Sequence, residues 1–180
     1  MGNLNKLLAY LKELKVKPNV ENFQDKLVIQ KTACLLEMLG NDLGYSFSLY
    51  VRGPYSPGLT MDLYAHRADV NKCVTDYVPK ENEKRQLNLI SELSNNLEPS
   101  MLEIMATYMF LVKELNKDEK QAIKDLKKLK SFYSDGRIAI GISRAKQLFF
   151  KPTEKEMKDM LTEFKEIEDA TISDGSEMRQ

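Results

Sequence analysis

The chain has 180 residues, with 27 lysines and arginines against 27 aspartates and glutamates, so its formal net charge is zero. Hydrophobic residues make up 42% and charged residues 30%, the balance of an ordinary water-soluble domain. These figures argue against a whole-protein electrostatic grip on nucleic acid, and no apolar run reaches the roughly 18 residues of a membrane span.

The leucines at 4, 7, 8, 11 and 14 predict an amphipathic helix over 4–15, stopped by Pro18, rather than a signal peptide. Asn22 is placed to cap a second helix over 24–39, with Asp25 in the capping-box position. Apolar residues surround most of that helix, which predicts a central buried element closed by Gly40. Cys34 lies inside it. With Cys73 as the only other cysteine, buried free thiols are expected rather than a disulfide, and the expected location is cytoplasmic.

Tyr45 to Val51 reads as a short strand and Arg52 to Gly58 as a sharp loop. Ser56 followed by Pro57 is an N-cap and first helical residue, opening a helix to Arg67 with Leu59, Leu63 and Tyr64 turned inward. Val70 to Val78 reads as a second short strand ended by Pro79. Helices follow over 80–97, from Pro99 to a break at Asn116–Asp118, around 122–129, over 137–150 after a Ser134–Gly136 turn, and over 154–168. The fold class is therefore mainly α. One domain over 1–168 carries a small β element around 45–78, and a polar mobile tail is expected over 169–180.

No P-loop, dinucleotide fingerprint, CxxC or HExxH motif is present. His66 is the only histidine; four residues from Asp62, it reads as a surface hydrogen-bond partner rather than half of a metal site. The residues call for no cofactor, no metal and no catalytic set, and the chain reads as a non-enzyme. Lys124, Lys127, Lys128 and Lys130, followed by Arg137 and Arg144, read as a solubilising outer face or a local nucleic-acid patch.

The loop itself is the richest stretch: two glycines and two prolines fix its shape, while tyrosines and arginines decorate it. The order helix–strand–loop–helix over 24–67 permits a winged-helix-like centre, with Arg52, Thr60, His66 and Arg67 near DNA. Against that, the last helix presents Met61, Asp62 and Tyr64, a face better suited to a protein partner.

The run Lys26-Leu27-Val28-Ile29-Gln30-Lys31-Thr32-Ala33-Cys34-Leu35-Leu36, the loop Tyr50-x-x-Gly53-Pro54-Tyr55-Ser56-Pro57-x-Leu59 and the following Asp62-Leu63-Tyr64 resemble the YwgA-like proteins, related to the SocA-type (Panacea) antitoxin domain. The resemblance covers about residues 24–150. It departs at Val28-Ile29 and at Cys34, where an aromatic is common. It implies a mostly α fold without established catalytic residues, and a role in toxin neutralisation or delivery of a toxin to a protease, in a phage-defence or toxin–antitoxin setting.

The reading that results is a non-enzymatic protein-interaction module, antitoxin-like or regulatory. Tyr50, Arg52, Tyr55, Tyr64 and Arg67 are its partner-contact residues, and Gly53, Pro54, Ser56 and Pro57 hold the loop shape. A toxin or effector protein is the expected partner, with a second copy of the chain left open. The alternative is a winged-helix-like regulator that binds nucleic acid.

Overall fold

The computed structural model describes residues 2–150 and Thr162. One compact unit runs from Met1 to Phe149. The helix expected over 154–168 and the tail from 169 lie outside the described residues. Eight helices and one two-stranded antiparallel sheet are present among the described residues.

Two helices form the centre. Helix α2 (Phe23–Met38) is buried continuously from Leu27 to Leu36, as its all-round apolar pattern predicts. Asn22 caps it, accepting hydrogen bonds from the Gln24 and Asp25 backbone N–H groups. The Asp25 carboxylate does not complete a capping box; it accepts from the Asn19 N–H instead. Helix α6 (Pro99–Lys113) packs against α2 and is buried at every residue from Met101 to Leu111, so it is as central as α2. Helices α7 (Glu119–Leu129) and α8 (Asp135–Phe149) lie against α6. Gly141 lets α8 approach closely, since a Cβ there would sit 2.4 Å from the Ile104 side chain. Helices α1 (Leu4–Glu13) and α5 (Glu81–Leu93) complete the core, α5 touching both α1 and α8.

The β element is smaller than the sequence suggests. Strand β1 (Ser48–Tyr50) pairs with β2 (Gly53–Tyr55) through a two-residue turn at Val51–Arg52, in the register Ser48↔Tyr55, Leu49↔Pro54 and Tyr50↔Gly53. Half of the expected loop is therefore a strand. Pro54 is tolerated because each strand has only one neighbour.

The strand expected over 70–78 does not form. Residues Arg67–Lys72 make a short helix, α4, with Val70 buried, and Cys73 ends it in the left-handed conformation. The extended segment beyond has no strand to pair with and is held by side chains instead. Thr75 donates through its hydroxyl to the Asn5 carbonyl at 2.8 Å, and Asn5 Nδ2 donates to Asp76 at 2.6 Å. Other helices end earlier than their periodicity suggests. Lys15 takes a positive φ, as do Asn95, Asn96 and Leu97, which stops α1 and α5 before the expected 15 and 97.

Candidate functional site

Helix α3 (Pro57–Ala65) begins where β2 ends. Ser56 caps it as expected, its hydroxyl accepting from the Leu59 N–H at 3.2 Å with Pro57 in the first turn. The hairpin and this cap are fastened to α2 by two consecutive side chains. Gln30 accepts from the Ser56 N–H at 2.9 Å, and its Nε2 donates to the Ser56 carbonyl at 3.0 Å and to Thr60 Oγ1 at 2.9 Å. Lys31, 2% exposed, donates to the Pro54 carbonyl at 2.6 Å. Two consecutive polar residues of the central helix thus latch the hairpin to the core.

Helix α6 supplies the other anchor. Gly53 has φ +87°, and a Cβ there would lie 2.1 Å from Thr107 Oγ1. That position needs glycine for its conformation and for its space. Behind the hairpin, Lys130 is fully buried and donates to Glu103 Oε1 at 2.6 Å. Arg52 reaches the other oxygen of the same carboxylate at 3.5 Å, and its guanidinium lies 5.3 Å from the centre of the Phe132 ring.

Between α2, the hairpin and α3 lies an open cleft of about 480 Å³. Four of the five predicted contact residues line it: Tyr50, Arg52, Tyr55 and Tyr64. Tyr50 and Tyr55 stack edge to face with centroids 5.2 Å apart. Tyr64 is not turned into the core; it is exposed, and its hydroxyl accepts from Lys26 Nζ at 2.7 Å. Arg67 is not part of the lining. It opens α4 and pairs with Glu21 at 3.0 Å. Phe23, Lys26, Lys31 and Val51 also line the cleft and are not among the contact residues read from the sequence. Val51, at the hairpin turn, is 83% exposed.

The lining is lopsided in charge. Lys26, Lys31 and Arg52 contribute, and no lining residue is acidic. Behind the cleft, Lys130 and Arg52 share the carboxylate of Glu103, while Lys31 gives its ammonium to the Pro54 carbonyl. Burial pushes the Lys31 ammonium down to about 8; Glu103 opposes that shift, while Lys130 and Arg52 add to it. Burial likewise lowers the Lys130 ammonium, with its bond to Glu103 opposing.

Lys124, Lys127 and Lys128 on α7 are exposed, as an outer face requires. Lys130 belongs to the buried cluster and not to that face. Arg137 is held by Glu98 and Ser100, and Arg144 by the Leu93 carbonyl and Asn95. Lys127 pairs with Asp135 at 3.1 Å. Of the residues that a DNA-reading helix would use, Thr60 is turned to Gln30 and Arg67 to Glu21. Asp62 does not bond to the His66 ring; its carboxylate accepts from the Tyr45 hydroxyl at 3.0 Å.

Comparison of the chain with protein-family models, with curated proteins and with solved structures finds no match. The fold defines a mainly α-helical protein bearing one β-hairpin, and no described helix is long and apolar enough to cross a membrane.

Proposed function

We propose that this chain is a non-enzymatic interaction module, antitoxin-like or regulatory, that binds a partner protein through the cleft beside the hairpin. The observation that carries the reading is the combination of a hairpin fixed at both ends with an exposed aromatic rim. Gln30, Lys31 and Thr107 immobilise the backbone, so Tyr50, Arg52, Tyr55 and Tyr64 are presented without an ordering penalty at binding. Tyrosine and arginine are the side chains that most often anchor interfaces. The resemblance to YwgA-like and Panacea proteins supports the same reading, with a toxin or defence effector as the partner.

The test is co-expression with the neighbouring gene, followed by purification and affinity measurement. A stoichiometric complex is expected, weakened by about 2 kcal/mol or more in Arg52→Ala/Tyr55→Ala. An unchanged affinity in that double variant, with its helical spectrum intact, removes the cleft as the binding site.

A further inference from the structure

The cleft lining carries three basic side chains, Lys26, Lys31 and Arg52, and no acidic one. Buried charges are normally paired, because an isolated ion in a low-dielectric site is expensive. Glu103 is shared between Lys130 and Arg52, at 2.6 and 3.5 Å. Lys31 has a backbone carbonyl as its hydrogen-bond partner, and Lys26 has the Tyr64 hydroxyl. Neither Lys26 nor Lys31 forms an ion pair among the described residues. The rim is apolar and exposed at Phe23 and Val51 and aromatic at Tyr50 and Tyr64.

From this charge complementarity we infer that the cleft takes an acidic peptide segment of the partner. An Asp or Glu carboxylate enters between Lys26, Lys31 and Arg52, and an adjacent aromatic or aliphatic side chain lies on Phe23, Val51 and Tyr50. The inference rests on the interaction-module reading and deepens it by stating what the partner presents. A protein segment fits better than a nucleic-acid strand. A phosphate backbone needs a track of cations, whereas this cleft groups Lys26, Lys31 and Arg52 in one place beside an apolar and aromatic rim.

The experiment is selection of random displayed peptides on the full-length chain, followed by titration of the synthetic peptides recovered. Expected are peptides in which Asp or Glu adjoins Phe, Tyr or Leu. Replacing that acid by its amide should weaken binding about tenfold, as should Arg52→Ala or Lys26→Ala in the protein, and added salt should weaken it further. Recovery of neutral or basic peptides whose binding is lost in Val51→Glu overturns the acidic-segment inference but leaves the interaction module standing. Recovery of no peptide that distinguishes the parent from Val51→Glu overturns both. Displacement of the selected peptide by a single-stranded oligonucleotide at lower concentration overturns the protein-segment assignment in favour of nucleic acid. Thermal melts of each variant exclude unfolding as the cause of any loss.

Discussion

Two polar clusters are built into this fold, and they differ in how their charges balance. Between α1 and α5, Lys6 pairs with Glu83 at 3.2 Å, and the same carboxylate accepts from the Tyr77 hydroxyl at 2.9 Å and the Lys80 N–H at 2.7 Å. Lys6 also donates to the Asn41 carbonyl, and Tyr10 to the Asn41 side chain. One cation meets one anion and the neighbours fill the remaining lone pairs. Under the hairpin, two cations share one carboxylate, and Lys31 has a backbone carbonyl as its partner. The first cluster is complete in itself and fixes how two helices sit. In the second, Lys31 holds the hairpin backbone, and it and Arg52 line a cleft whose lining has no acidic residue. Balance, rather than burial, separates the two clusters.

The largest effect should come from removing the Glu103 carboxylate. Glu103→Gln leaves Lys130 buried without a counter-charge and should cost about 3–5 kcal/mol in urea unfolding, whereas Glu103→Met/Lys130→Met should recover much of that loss. An equal loss in single and double variants would show that the pair is not the relevant unit. Gly53→Ala comes next, at about 2–3 kcal/mol, because it combines a left-handed backbone with a collision against Thr107. A melt unchanged from the parent would mean that the hairpin is not pinned to α6.

In the balanced cluster, Glu83→Gln should cost about 1–3 kcal/mol at neutral pH. Burial alone would raise the Glu83 carboxyl, but the hydrogen bonds from Lys80, Tyr77 and Lys6 outweigh it and hold it at about 2, below the ordinary 4.5. The folded form therefore binds fewer protons between those values. Its contribution is present above pH 4.5 and is lost as pH falls toward about 2, so the gap between parent and Glu83→Gln should close over that window.

Lys31 works in the opposite range. Its amine gives up its proton near pH 8 when folded and near 10.5 when unfolded. The parent should therefore gain stability relative to Lys31→Met as pH rises from 8 to 10.5, since a neutral amine costs little to bury. A parallel pair of pH curves would place Lys31 in a wetter site than this cluster provides. The smallest change is Arg52→Ala, half-exposed, which should alter stability by no more than about 1 kcal/mol while removing partner affinity. Stability loss without affinity loss would reverse the comparison.

The helices were legible because 3.6-residue periodicity survives even when turn chemistry is misread. Ser56–Pro57 and Asn22 marked their helix starts for the physical reasons that make caps. Strand β2 was not legible, because Gly53 and Pro54 signal a turn locally, yet they pair with β1 while packing on α2 and α6. The rim tyrosines were visible in the sequence; the charge beneath them was hidden. Lys130 read as part of a lysine-rich surface, yet Ala122, Leu126 and Lys130 follow a four-residue spacing that puts the lysine on the buried face. Glu103 carried a similar signal as a single acid inside the apolar run from Met101 to Leu111.

One turn of α2 beyond Lys31, Cys34 is 1% exposed, and burial pushes its thiol well above the ordinary value. A maleimide or disulfide reagent reaches a thiol so buried when the structure around it opens locally, so its labelling rate is a clock for opening beside the central pair. With Cys73 changed to serine, a single thiol reports on the helix that latches the hairpin. Occupancy of the cleft can then be read as protection from alkylation, without attaching a dye to the rim that does the binding.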